Sequence, residues 1–267
     1  TITGGAGQDT ITTGAGKDII KYTLAGSDST LSKPDTITDF TVDDDTVRIA
    51  YTMADGAETA DFTFKGATPN VSEGIGLLSG VKGQYVFNTS TNSLILDSGV
   101  TLGLLQSGDD SIILTGLSTL TDGDIAFDIT TSDANTGAAD TVTTGGGDDT
   151  VIAAVAGDTI TTGKGDDTIS TAAVTYTGTM AFGAGTDTLK NTTGATDVKG
   201  VTLSGLEKIE IAASGSVQAS VAQLATFNST DNFTVSGVSG NEAETLKVVG
   251  ASAINTIDGS GLTLSNA

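Results

Sequence analysis

The chain has no cysteine, no histidine and no tryptophan, and only two prolines in 267 residues. Without thiol or imidazole there is no disulfide, no Cys/His zinc site, no cysteine nucleophile and no histidine base. Two prolines are too few for a polyproline linker. Positive charge is also scarce: 11 Lys and Arg against 33 Asp and Glu leave a net charge of −22. Such a field repels nucleic-acid backbones and anionic lipid and attracts cations. No apolar run reaches the roughly 18 residues that a membrane-spanning helix needs. Most hydrolytic machinery, a nucleic-acid partner and a transmembrane segment are thereby excluded, and the chain is expected not to be an enzyme.

What remains is a composition that can fold. Hydrophobic residues make up 37% and charged residues only 16%, outside the range of acidic disorder. The acid is diluted in Gly, Ser and Thr, which favours strands and turns over helices.

A nine-residue period is visible in two blocks. The first reads Gly4-Gly5-Ala6-Gly7-Gln8-Asp9-Thr10-Ile11-Thr12, then Thr13-Gly14-Ala15-Gly16-Lys17-Asp18-Ile19-Ile20-Lys21. The second holds Thr144-Gly145-Gly146-Gly147-Asp148-Asp149-Thr150-Val151-Ile152, a degenerate copy at 153–161, and Thr162-Gly163-Lys164-Gly165-Asp166-Asp167-Thr168-Ile169-Ser170. A looser copy at 182–190 keeps Gly183, Gly185, Asp187 and Leu189. Thr1-Ile2-Thr3 reads as the tail of an earlier copy, so the chain is expected to have been cut at both ends from a larger protein.

Each unit has a glycine-rich half that can take positive φ, an Asp at its sixth position and one aliphatic at its eighth. It predicts a tight turn followed by a three-residue strand. Two units make one coil, so turns on one side recur every 18 residues, and Val142, Val151, Ile160 and Ile169 stack into a narrow core. One aliphatic per nine residues is too little to hold such coils by itself. The turns offer carboxylates and carbonyls, the oxygen set of a hard cation; calcium fits better than magnesium, which gives up water reluctantly. Without a cation, carboxylates crowded at turn after turn would repel one another.

The spacing ranks the sites. Asp149 and Asp167, in intact turns, are expected to face one ion with carbonyls near Gly145, Gly147, Gly163 and Gly165. Asp140 and Asp158 keep the spacing but have lost the glycines, and predict a weaker site or none. In the first block Asp9 (with Gly5 and Gly7) and Asp18 (with Gly14 and Gly16) need partners from another coil. Asp28 and Asp35 fall near the required distance.

These residues resemble the repeats-in-toxin (RTX) family, whose motif is GGxGxDxUx with U aliphatic. The resemblance implies a calcium-loaded parallel β-roll carrying several Ca2+ ions. From Tyr22 to about Thr130 the nonamer gives way to alternating strands at 35–40, 46–49, 84–87, 93–96 and 111–114, with Asn88 to Asn92 as a hairpin loop. Ser29 ahead of Asp35-Thr36-Ile37-Thr38-Asp39-Phe40, Asp45 before Val47 and Ile49, Tyr85-Val86-Phe87 with Leu94 to Asp97, and Leu114-Thr115-Gly116 with Asp122 and Asp124 resemble the cap of serralysin-type C-terminal domains. Beyond the second block, Leu206-Glu207-Lys208-Ile209 and Ile257-Asp258-Gly259-Ser260-Gly261-Leu262 are similar to segments of proteobacterial RTX-containing surface-layer (S-layer) proteins. Val217 to Phe227 reads as a short helix.

Four other patterns carry less. Gly14-Ala15-Gly16-Lys17 lacks the Ser/Thr and helix of a phosphate loop. Asp43-Asp44-Asp45 lacks EF-hand ligands at Val47 and Arg48 and predicts an exposed turn. Glu207 and Glu210, three apart on a strand, read as solvated charges on opposite faces. Thr-x-Thr pairs such as Thr10/Thr12, Thr141/Thr143 and Thr159/Thr161 suggest an ice-binding rank that Lys21, Ile152 and Ser170 interrupt.

The expected fold class is therefore all-β: a parallel β-roll or β-solenoid with calcium-binding Gly/Asp-rich turns plus an antiparallel cap. Two domains are expected, 1–130 and 131–267. The resemblances imply a structural module of a secreted bacterial cell-surface protein that self-assembles with identical chains into a lattice or filament, with a cell-surface glycan as a further partner. The alternatives are the non-catalytic RTX export region of a secreted protease or lipase, and an adhesin stalk.

Overall fold

The structure is a computed structural model that describes residues 1–24, 28–54, 58–70, 78, 81–97, 109–131, 138–153, 156–212, 214–224, 234–237, 245–249 and 263–266. The chain forms two compact units. The first comprises Thr1–Tyr51, Thr59–Asp128 and Thr143–Gly147; the second comprises Thr52–Glu58, Ile129–Val142 and Asp148–Ala267. The expected division at 130/131 falls two residues from one of the crossings, and the short segments 52–58 and 143–147 belong to the unit opposite to their neighbours.

The first unit holds β1 (Thr10–Ile11), β2 (Ile19–Thr23), β3 (Asp35–Ile37), β4 (Thr46–Thr52), β5 (Thr59–Phe62), β6 (Phe64–Thr68), β7 (Tyr85–Asn88), β8 (Ser93–Leu96), β9 (Asp110–Leu114) and most of β10 (Ile125–Thr130). A six-stranded sheet runs β1-β3-β9-β8-β7-β6. It is parallel at β1/β3 and β3/β9, and antiparallel where the expected hairpin joins β7 to β8. A second ladder runs β2-β4-β10. Alternation explains β4: Val47, Ile49 and Tyr51 point inward, while Arg48 points outward to Asp128 at 2.7 Å. Behind the strands Phe62, Phe127, Tyr85 and Tyr51 form a chain of tilted rings with centroids 4.8 to 5.9 Å apart. This is an ordinary hydrophobic core, with the aromatic geometry such cores favour.

The second unit is a parallel solenoid. Its strands are β11 (Thr141–Thr144, the first two residues), β12 (Thr150–Ala153), β13 (Thr159–Thr161), β14 (Thr168–Thr171), β15 (Thr179–Ala181), β16 (Thr188–Asn191), β17 (Ala195–Asp197), β18 (Thr202–Ser204), β19 (Lys208–Ile211), β20 (Ser216–Ser220), β21 (Thr234–Gly237), β22 (Thr245–Val249) and β23 (Thr263–Asn266). One sheet stacks β12-β14-β16-β19-β21-β23, a second β11-β13-β15-β18, and a third β17-β20-β22. Val151, Ile169, Leu189 and Ile209 stand in register in the first, all fully buried. Val142 and Ile160 are likewise buried in the second. Each contributes about 1.5–3 kcal/mol by burial.

In the sheet that begins at β12, the 18-residue coil holds for one turn, from Thr150 to Thr168. The next two coils take 20 residues each, Thr168 to Thr188 and Thr188 to Lys208 in register. The following coils take 26 residues, to Thr234, and 29, to Thr263. Beyond Asn191 each successive coil gives one strand, β17, β20 and β22, to the third sheet. Of the helix expected over 217–227, the described residues show Val221–Leu224 helical, while Ser216–Ser220 is a strand that pairs in parallel with Thr245–Val249. Residues 225–227 and the Ile257 to Leu262 segment lie outside the described residues.

Candidate metal centre

The sixth-position aspartates do not point to solvent. In the second unit Asp140, Asp149, Asp158, Asp167 and Asp187 are all buried, because the turn before each strand directs its side chain along the coil axis. There each carboxylate accepts the backbone N–H of the preceding coil's acidic residue. Asp149 donates to Oδ1 of Asp167 (2.9 Å), Asp167 to Oδ1 of Asp187 (2.9 Å), and Asp187 to Oε2 of Glu207 (2.9 Å). On the other side Glu58 donates to Oδ1 of Asp140 (2.9 Å) and Asp140 to Oδ1 of Asp158 (3.1 Å). These bonds satisfy the N–H at each turn-to-strand junction, a group that burial would otherwise leave unpaired.

The first unit repeats the arrangement at a longer interval. Asp9 donates to Oδ1 of Asp35 (2.8 Å) and Asp18 to Oδ1 of Asp45 (3.0 Å). Asp35 is thus the partner of Asp9, 26 residues on, whereas the 18-residue period places Asp35 near Asp18 and Asp28 near Asp9. Asp28 pairs with neither; its charge acts on Asp35 and Tyr22. Asp45, expected in an exposed turn, is buried, and its other oxygen accepts the Thr41 N–H (2.9 Å).

Whether these residues fit a cation can be tested on their second oxygens. Oδ2 of Asp9, Asp35, Asp167 and Asp187 is buried without a hydrogen-bond partner of good geometry, a costly arrangement for a carboxylate. Burial pushes the Asp167 carboxyl up to about 6, helped by the charges of Asp187 and Asp148. Burial likewise raises Asp187, with Asp166 adding to it, and raises Asp35, with Asp9 adding to it. A hard cation relieves both penalties, and the donors are all oxygen. Among the described residues no three carboxylates converge, so two carboxylates and backbone carbonyls would complete each shell. The residues fit.

The glycines divide into two kinds. Gly5, Gly7, Gly14, Gly16, Gly147 and Gly165 turn the chain with positive φ. Gly183, and Gly185 in addition to its own positive φ, permit contact between coils: a Cβ would stand 1.5 Å from the Gly163 carbonyl oxygen and 1.9 Å from that of Gly165 respectively. The Gly163 carbonyl, expected to face the ion, accepts the Ala184 N–H at 2.9 Å. Gly145 lies in the first unit, where a Cβ would come within 2.9 Å of Asp122.

Sequence spacing missed four participants. Asp45 follows Asp18 by 27 residues, much as Asp35 follows Asp9 by 26, and Glu207, read as a solvated charge, follows Asp187 by 20. Asp148 and Asp166 form a parallel outer rung, Asp166 donating to Oδ1 of Asp148 at 2.8 Å. Glu210, on the opposite face, pairs with Lys190 at 2.7 Å.

The model of the RTX calcium-binding nonapeptide repeat (4 copies) matches residues 135–169 and 155–173. The chain carries RTX calcium-binding repeats. RTX repeats bind calcium, several ions to a repeat region. The match contains Asp140, Asp149, Asp158 and Asp167, while the carboxylate ladder continues past it to Asp187 and Glu207. A second model, peptidase M10 serralysin C terminal, matches residues 1–72. Together the RTX and serralysin matches make this a calcium-binding module of a secreted protein. Searches of the curated proteins and of the solved structures found no match. No helix among the described residues is long and apolar enough to cross a membrane.

Proposed function

We propose that the chain is a structural, calcium-dependent module of a secreted bacterial cell-surface protein, one that builds an S-layer or an extracellular filament. The observation that carries the calcium dependence is the pair of fully buried carboxylates Asp167 and Asp187, each with one oxygen engaged by the backbone and the other without a hydrogen-bond partner of good geometry. Calcium, when bound, supplies the positive charge that offsets their burial and mutual repulsion. Asp149, Asp167 and Asp187 would hold it on one side, with Asp140 and Asp158 a weaker pair on the other. That ranking is supported by Thr131, whose hydroxyl donates to Oδ2 of Asp158 at 2.7 Å and occupies the oxygen an ion would use.

Binding then couples to folding. At cytosolic calcium the acidic coils stay loose; outside the cell they close. The residual acidity suits calcium-bridged assembly of identical chains. A second reading, a non-catalytic RTX region of a secreted protease or lipase, is favoured by the serralysin C-terminal match over 1–72. Electron microscopy of the full-length protein in calcium tests the choice: sheets or filaments support the assembly, and dispersed particles with hydrolytic activity reject it for the second reading.

A further inference from the structure

Away from the aspartate ladders, the first unit holds a second polar cluster where the start of β6 meets β7. One carboxylate, Asp61, is bonded three times: Oδ1 accepts the Thr63 hydroxyl at 2.7 Å, and Oδ2 accepts Nε2 of Gln84 at 2.6 Å and Nζ of Lys65 at 2.9 Å. Alternation along 61–65 puts Asp61, Thr63 and Lys65 on one face. The parallel register pairs Phe64 with Tyr85 and so seats Thr63 beside Gln84, on chains about 4.8 Å apart. Two backbone bonds fix the pair: Tyr85 N–H donates to the Thr63 carbonyl (3.3 Å) and Asp61 N–H to the Lys82 carbonyl (2.9 Å).

A threonine hydroxyl is a nucleophile once its proton is taken, and a carboxamide is an acyl group whose leaving group is ammonia. Asp61 touches the proton of the first with one oxygen and the nitrogen of the second with the other, so a single carboxylate can take the proton and hand it on. Burial raises the Asp61 carboxyl, but the bonds from Gln84, Lys65 and Thr63 outweigh it and hold the group below its ordinary range. The base form is therefore the one present at neutral pH. Gln84 is 3% exposed, which keeps water from the acyl carbon. The side chains of Asp61 and Lys65 are 25% and 26% exposed, which leaves ammonia a way out.

We propose that Thr63 and Gln84 form an intramolecular ester cross-link, with Asp61 as the catalytic residue that transfers the proton. Thr63 Oγ attacks Gln84 Cδ and gives its proton to Asp61; the Cδ–Nε2 bond breaks, the nitrogen takes that proton, and ammonia leaves. The step needs no oxidant, reductant or co-reactant. It ties the bend between β5 and β6 to β7 in a chain without cysteine, and it is independent of the calcium-dependent reading above.

The test is the intact mass of the full chain, folded and incubated at neutral pH. The wild type should be one ammonia lighter than its sequence, and a protease digest should yield peptides joined through Thr63 and Gln84 that hydroxylamine separates. Thr63→Val and Gln84→Met should keep the masses of their sequences, while Thr63→Ser should still cross-link. Asp61→Asn should slow the loss of ammonia by about a hundredfold or more. A wild-type chain at its full sequence mass overturns the cross-link. So does a loss of ammonia that survives in Thr63→Val, the mark of a cyclised asparagine elsewhere. Asp61→Asn reacting as fast as the wild type overturns the role of Asp61.

Discussion

Asp149 gives its backbone N–H to Oδ1 of Asp167 at 2.9 Å, eighteen residues further along the chain. The carboxylate therefore does two things at once: one oxygen closes the turn-to-strand junction of its neighbour, and the other is left for a cation. Asp140 and Asp158 make the same backbone contact, but the second oxygen of Asp158 is already engaged by Thr131.

From this difference, Asp149→Ala with Asp167→Ala is expected to lower calcium occupancy more than Asp140→Ala with Asp158→Ala. Calorimetric titration of the two double variants reads it directly. Equal losses would reject the ranking.

The pH dependence of the calcium-free protein has an unusual sign. Asp167 titrates near 6 in the fold against 3.8 for a free carboxyl, so between these values the folded chain holds the extra proton. Stability is then lost as pH rises from about 4 to about 6, by on the order of 2 to 3 kcal/mol. Melting in chelator across that window should fall with pH. Saturating calcium should abolish or invert the slope, since the ion binds the deprotonated form.

Gly183→Ala places a methyl where the Gly163 carbonyl oxygen stands. The coils must separate, breaking the Ala184-to-Gly163 and Gly165-to-Ala184 bonds. A loss of about 3 kcal/mol or more is expected, measured as a lower denaturant midpoint with calcium present.

Past the repeats the coils are held by amides. Asn191, buried, donates from Nδ2 to the Thr193 and Gly194 carbonyls and to Thr196 Oγ1 at 2.8 to 3.2 Å. Asn191→Ala strands these acceptors and should cost about 1–3 kcal/mol. The cost should be the same in calcium and in chelator, which separates it from the aspartate variants.

The solenoid was legible where side-chain period and turn chemistry coincided. Val151 and Ile169 stack as the nine-residue period requires, whereas Asp9 finds Asp35 at 26 residues, an offset that the 18-residue coil of the repeats does not give. Asp45 was hidden by its place in Asp43-Asp44-Asp45, which looks like a solvated run until the Asp18 N–H is seen to need an acceptor. Glu207 was hidden by its residue type: the motif calls for Asp, yet a 20-residue coil brings a longer carboxylate to the same N–H. Val217 to Ser220 carries no local sign of pairing with Thr245 to Val249, a partner set by the longer coil. Tyr22 reads locally as an ordinary inward strand residue, and only the fold shows which carboxylates it meets.

On the side of the solenoid that carries Asp140 and Asp158, the next coil has Gly178, where a Cβ would lie 1.9 Å from the Asp158 carbonyl oxygen. The acidic stack ends there, while the opposite column runs on to Glu207. Dependence on mineral is consequently lopsided: one seam of the molecule is mortared by dissolved ions for several courses, and its counterpart soon becomes dry masonry, fitted backbone against backbone.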